Sequence, residues 1–196
     1  MIDMTNLPPF EAFAKIPRLK RHMVITEKLD GTNAQVYISE DKQTVLAGSR
    51  NRWLAVTDDK RDDNYDFAAW VKNHRDELVE GLGPGRHYGE WYGMGINRRY
   101  GLSERRFALF NVSRWKADNP PPKCCSVVPL LYSGSFGDGA VAEQLDRLRT
   151  YGSAAVPGFM KPEGIVIFHA AAGGLFKVTL ENDEMAKGNA EQKEAA

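Results

Sequence analysis

Cysteine is nearly absent from this chain. It has two, and they are neighbours, Cys124 and Cys125. Adjacent residues rarely close a disulfide, so no disulfide framework is expected, and a reducing compartment, the cytoplasm, is the default. Their spacing does not suggest a zinc site. Excess charge is missing too: 26 basic residues balance 26 acidic ones. That balance argues against a protein held on nucleic acid by bulk charge, while leaving room for a local basic groove. No apolar run approaches the ~20 residues of a membrane span. The N-terminus, with Asp3 and Pro8-Pro9, does not look like a signal peptide. No internal repeat is visible. What remains is 196 residues, 42% apolar and 27% charged, enough for one substantial soluble domain with a real core.

Residues 22–27 and 34–39 read as strands around an Asp30-Gly31 turn, with a hairpin loop at 40–43 leading to a strand at 44–49. A helix is expected over 64–80, because Phe67, Trp70, Val71, His74 and Leu78 share one face and Gly81 and Gly83 follow. Strands are expected at 86–92 and 106–112, with a loop at Asn119-Pro120-Pro121-Pro122. A second helix spans 138–151, ending at Gly152. Strands at 163–169 and 174–180 finish the core, followed by a polar, frayed tail from Glu181. Many strands on short turns with two or three helices make an α+β domain rather than a doubly wound one.

The chemistry concentrates in a few segments. The first is Glu27-Lys28-Leu29-Asp30-Gly31-Thr32-Asn33, after the apolar Met23-Val24-Ile25. A lysine at a strand end beside phosphate-binding groups becomes a nucleophile once deprotonated. Then comes Gly48-Ser49-Arg50-Asn51-Arg52, where an arginine at a strand end can pair with phosphate or ribose. In Tyr88-Gly89-Glu90-Trp91-Tyr92-Gly93, alternation puts Tyr88, Glu90 and Tyr92 on one face. A carboxylate between glycines there suits ribose hydroxyls and close ligand approach. Phe107 and Phe110 fall on opposite faces of the next strand. Glu163 starts the apolar strand Gly164-Ile165-Val166-Ile167, where burial is costly without a cation partner. Lys177 follows, sharing a face with Leu175 and Thr179, while Phe176, Val178 and Leu180 are expected in the core.

Taken in order, Lys28, Arg50, Glu90, Phe107, Glu163 and Lys177 resemble the site of the covalent nucleotidyltransferases, the polynucleotide ligases and mRNA capping enzymes that form a lysyl-nucleotide. The resemblance runs over about 23–180. Asn33 after Gly31-Thr32 points within that superfamily to ATP-dependent RNA ligases similar to the second bacteriophage T4 enzyme. It implies the ligase adenylation fold: antiparallel sheets flanked by a few helices. It also implies ATP with Mg2+ or Mn2+ as cofactors. Lys28 would be the nucleophile, and Asp30 would orient it or a metal-bound water. Glu163 would hold the metal or orient the lysine. Glu27, Asn33, Arg50, Glu90, Phe107 and Lys177 would contact the nucleotide, with Phe107 stacking on the base in preference to Phe110. The family commonly places two lysines, one residue apart, where Lys177 stands alone.

The reaction so implied starts with attack of Lys28 on the α-phosphate. AMP then moves to a 5′-phosphate end, and a 3′-hydroxyl seals it. Because lysine is protonated at neutral pH, neighbouring cations such as Lys177 and Arg50 would have to disfavour its charged form. Expected partners are RNA or DNA ends. The basic run Arg98, Arg99, Arg105, Arg106, Arg114 and Lys116 is either a set of phosphate contacts or a solvated charged face. The expected organisation is one domain over 1–196, with its core at about 20–180 and a tail at 181–196. It would have no C-terminal OB or helical domain, which a partner protein could supply. Two other functions fit the same residues: an end-binding module that keeps the fold without the reaction, and capping-type GMP transfer.

Overall fold

The structure is a computed structural model, and it describes residues 7–56, 62–181 and 183. The remainder of the tail expected at 181–196 lies outside them. Nine strands form two sheets among the described residues. The first strand, β1 (His22–Lys28), belongs to a four-stranded sheet with β7 (Leu130–Ser135), β8 (Gly164–His169) and β9 (Gly174–Thr179), in the order β7-β1-β8-β9. The second sheet holds β2 (Thr32–Ile38), β3 (Val45–Ser49), β4 (Gly85–Gly93), β5 (Arg105–Leu109) and β6 (Cys125–Val127), ordered β3-β2-β4-β5-β6. Every pairing is antiparallel except β5 with β6, which is parallel.

The helix expected over 64–80 is two helices, α1 (Phe67–Asn73) and α2 (Arg75–Leu82). His74 breaks them with φ −105° and ψ 17°, and its ring Nδ1 lies 2.9 Å from the Trp70 carbonyl oxygen. Asn64, Tyr65 and Asp66 are not helical but left-handed. Both helices cover one face of the five-stranded sheet. Phe67, Ala68, Val71, Leu78 and Leu82 are buried there with Ala34, Val36, Ile38 and Trp91. Aromatic rings knit this core: Phe67 sits 5.3 Å from Trp91 and 5.2 Å from Phe107, centroid to centroid. Such pairs add about 0.5–1.5 kcal/mol each beyond area burial. The helix α3 (Asp138–Tyr151) packs Leu145 and Leu148 on the other sheet, against Met23, Ile25, Ile165 and Ile167.

Two strands escaped the sequence pattern. β7 reads Leu-Leu-Tyr-Ser-Gly-Ser, poor in the β-branched residues that mark strands. β6 is three residues long and follows the proline run. The strand expected to reach Val112 ends at Leu109, where Phe110 and Val112 enter a turn closed by Val112 N–H on the Phe110 carbonyl. Phe176, expected in the core, is 54% exposed on the edge strand β9, while Val178 and Leu180 do pack inward.

The sheets meet at Leu29-Asp30-Gly31, where the chain leaves β1 for β2. Glycine is needed at 31 for closeness rather than for its φ. A Cβ there would stand 2.3 Å from the Trp91 carbonyl oxygen. Gly89 is explained in the same way. Its Cβ would strike Ala108 O at 2.4 Å and the Phe107 ring at 2.6 Å, so the missing side chain admits protein and not a ligand.

Candidate functional site

Alternation along β1 buries Met23, Ile25 and Glu27 on the α3 side and turns Val24, Thr26 and Lys28 the other way. That second face and the helix-free face of the five-stranded sheet enclose a cavity of about 700 Å³. Lys28, Asp30, Asn33, Arg50, Glu90 and Lys177 all line it.

Lys28 donates to Glu163 Oε2 at 2.5 Å, across 135 residues of sequence. Strand register explains the meeting. Lys28 lies opposite Gly164, so the residue just before β8 projects at the end of β1. Glu163 is buried and Lys28 only partly so. A buried carboxylate without a cation would be costly, and this one has it. Lys177 stands on β9 opposite Val166, which itself pairs with Thr26. It therefore sits two strands across from the Lys28 strand on the same wall.

The opposite wall holds a bonded trio. Asn33 faces Glu90 in the β2–β4 register. Its Nδ2 donates to Glu90 Oε2 at 3.3 Å, while its Oδ1 accepts from Arg50 Nε at 2.8 Å and Nη2 at 2.5 Å. Glu90 Oε1 accepts from the Gly31 backbone N–H at 3.0 Å. Burial pushes the Glu90 carboxyl up to about 7, against the pull of Lys28 and the Gly31 bond.

One expected role needs correction, and two are narrowed. Phe107 cannot stack on a ligand, because it is fully buried among Phe67, Trp70 and Trp91 on the helix side. Of the two, Phe110, 41% exposed, is the ring that lines the cavity. Glu27 lines the cavity, but not as a free carboxylate. Its carboxylate turns away and accepts from Ser153 Oγ at 2.6 Å, Ala154 N–H at 2.8 Å and Ala155 N–H at 2.9 Å. Burial raises its pKa despite those bonds. The Asp30 carboxylate, expected to orient Lys28 or a metal-bound water, bonds to the loop at 97–100. Asn97 Nδ2 donates to Oδ1 at 2.9 Å, and Arg98 Nε to Oδ2 at 3.1 Å. Arg98 also reaches the Lys161 carbonyl at 2.9 Å, and Asp30 N–H donates to Tyr100 OH at 2.7 Å. Asn97, Arg98 and Tyr100 thus pin the corner between the sheets.

Three more residues of the basic run are likewise engaged within the protein. Arg105 pairs with Asp66, Arg106 with Glu104, and Arg114 lies over the Trp115 ring. Sequence order singled out most of the cavity's polar residues. It missed Thr26 and Thr32 on the cavity and, behind it, Asn97 and Tyr100, which sit in a left-handed loop with no pattern of its own.

Among the described residues, no group of three or more His, Cys, Asp or Glu side chains could hold a metal ion. Glu163 offers hard oxygen donors beside Lys28. This fits an ion such as Mg2+, which is commonly held by one or two carboxylates and completed by substrate phosphates and water. Among the same residues, no helix is long and apolar enough to cross a membrane.

A family model described as RNA ligase matches residues 21–179. The chain belongs to the RNA ligase family. No curated protein matches it. Solved structures that resemble it include variants of Naegleria gruberi RNA ligase. One with ATP and Mn is 20% identical, with a TM-score of 0.57 over 89% of this chain and 58% of that one. Another with AMP and Mn is also 20% identical, with a TM-score of 0.54 over 82% and 50%. At that identity the likeness establishes the RNA ligase nucleotidyltransferase fold alone. The chain spans about half the length of those ligases.

Proposed function

We propose that this RNA ligase family member is an ATP-dependent enzyme that joins RNA ends through a lysyl-AMP on Lys28. One observation carries the reading: the Lys28–Glu163 pair at 2.5 Å, set in a nucleotide-sized cavity with Lys177 and Arg50 on its walls. The ATP, AMP and Mn held by the Naegleria ligases support the same choice of nucleotide and metal.

The base enters between Phe110 and the aliphatic wall at Val166, and the ribose hydroxyls meet Glu90. Lys28 Nζ attacks the α-phosphorus. The N–P bond forms as the bond to the pyrophosphate oxygen breaks, and pyrophosphate leaves. Glu163 is placed to accept the Nζ proton. Lys177 faces the charge that develops on the phosphoryl oxygens. A divalent ion held by Glu163 and phosphate oxygens would add Lewis-acid stabilisation. A 5′-phosphate oxygen of RNA then takes the AMP, breaking the P–N bond. A 3′-hydroxyl attacks that 5′-phosphate and releases AMP. Arg50, fixed by Asn33, is placed for the 5′-phosphate.

Incubation with α-labelled ATP and Mg2+ or Mn2+, followed by a denaturing gel, tests this directly. Label should survive denaturation in the parent and vanish in Lys28→Ala. Absence of label from the folded parent with either metal would overturn the enzyme reading. Preferential labelling by GTP would replace it with GMP transfer.

A further inference from the structure

The helix-free face of the five-stranded sheet does not stop at the cavity. Strand register lays it out in rows. The inner row is Asn33, Glu90 and Ala108, with Arg50 bonded at its end. The next row is Gln35 opposite Tyr88, with Phe110 tied to the Tyr88 carbonyl by its N–H at 2.9 Å. The outer row is Tyr37 opposite Arg86. Trp53 lies beside that row, its ring 6.0 Å from Tyr37. The Arg86 guanidinium sits 5.2 Å from the Tyr37 ring and 5.1 Å from the Trp53 ring.

Soluble proteins bury such rings where they can, yet Tyr88 is 53% exposed and Trp53 is 43% exposed. Neither ring lines the cavity. The two outer rows carry no carboxylate, and their one charge is Arg86. Successive rows on a strand face lie about 7 Å apart, a spacing on which bases of an extended strand can stack in turn. Exposed rings with an interleaved arginine and no acid fit single-stranded nucleic acid, whose bases stack on aromatics while its phosphates take the cation.

We propose that this face, Gln35, Tyr37, Trp53, Arg86 and Tyr88, is a binding platform for a single-stranded RNA segment that leads into the cavity past Arg50. The choice of RNA rests on the ligase reading, while the platform itself rests on register and exposure. Bases stack on Tyr88 and Trp53, and Arg86 holds an intervening phosphate. A protein partner is the less suited occupant, since the patch is continuous with a phosphate-binding site and carries a cation at its centre.

Binding of a fluorescent, 5′-phosphorylated single-stranded RNA to the full chain, followed by anisotropy over a salt series, tests the platform. Tyr88→Ala and Trp53→Ala should each weaken binding about 10-fold, in line with the loss of one stacked base. Arg86→Ala should also flatten the salt dependence, and Arg86→Lys should restore the slope but not the full affinity. All four should self-label with ATP as the parent does. Parent-like RNA affinity and salt slope in a combined Trp53, Arg86 and Tyr88 alanine variant would overturn the proposal, as would a parent that binds no RNA. If the variants fail to fold, photo-crosslinking of thiouridine RNA to the parent decides. Crosslinks at Tyr88 or Trp53 support the platform, and crosslinks only elsewhere overturn it. A parent that binds RNA through these residues but never self-labels would sink the ligase reading and leave the platform standing.

Discussion

The two walls of the cavity are built on opposite plans. The four-stranded sheet contributes an apolar surface, Val24, Val166, Phe168 and Leu175, with Lys28 and Lys177 set in it. Lys28 meets its partner there at a single point, Glu163. The five-stranded sheet contributes Asn33, Arg50 and Glu90, already hydrogen-bonded to one another and to the Gly31 backbone. A bonded trio loses little freedom when it meets a ligand, and so suits recognition. A lysine held by a single carboxylate can exchange that partner for a phosphoryl group, and so suits chemistry. On the proposed mechanism the division assigns rate to one sheet and fit to the other.

The largest expected break in that division is Glu163→Gln. It keeps the size of the side chain and removes its capacity to take a proton. Self-adenylation should slow by about 10²–10⁴-fold, the range of a lost general base, while ATP binding measured by calorimetry changes little. A comparable loss of ATP affinity would place Glu163 with the recognition wall instead.

A paired test on the aromatic strand comes next. Phe107→Ala should cost about 3–5 kcal/mol of stability, read by denaturant titration, because it empties a core site. Phe110→Ala should leave stability nearly intact and raise the KM for ATP about 10-fold, the scale of one lost stacking contact. If the two effects were exchanged, the assignment of faces on this strand would be reversed.

The pH profile separates the walls more finely. The ordinary glutamate value is 4.5, and Glu90 is raised to about 7. The folded state therefore holds this proton more tightly than the unfolded chain, and the contribution of Glu90 to stability falls as pH rises from about 4.5 through about 7. Ribose binding by the ionised form runs the other way, so kcat/KM for self-adenylation should climb between pH 6 and 8. In Glu90→Gln the climb should flatten, and the stability curve should lose its decline over the same window. A profile identical to the parent's would remove Glu90 from the binding step.

The smallest effect belongs to Ser153→Ala, on the side of β1 away from the cavity. It removes one of three donors to the buried Glu27 carboxylate, at a cost of about 1–3 kcal/mol. Self-adenylation at a permissive temperature should be unchanged. A large rate loss would show that the loop at 153–156 bears on the cavity after all.

The ordered residues Lys28, Arg50, Glu90, Glu163 and Lys177 could be read from sequence because each sits in or beside a strand with local pattern around it. The phase of the Phe107 strand could not. Phe107 and Phe110 are three apart and both apolar, and only the helices packed on the Phe107 side decide which is core. Phe176 failed for a related reason. Alternation assigns faces, but β9 is an edge strand, and at Phe176 the packing that buries Val178 has run out. The direction of the Glu27 carboxylate was equally hidden, although the residue itself lines the cavity beside Lys28. A single step along β1 turns it toward a loop more than 120 residues away, which no local pattern announces.

The five-stranded sheet is drawn from one continuous stretch, residues 32–127, and can close on itself as soon as that stretch exists. β1 cannot join its own sheet so early. Both of its neighbours, β7 and β8, come from the last third of the chain. On the ribosome the lysine strand must therefore wait, unpaired, until β7 has been made, and Lys28 itself meets Glu163 only 135 residues further on. A nascent chain stopped before Glu163 holds the bonded trio but lacks the Lys28–Glu163 pair, so on the proposed mechanism nucleotide chemistry is withheld until both walls of the cavity have been made.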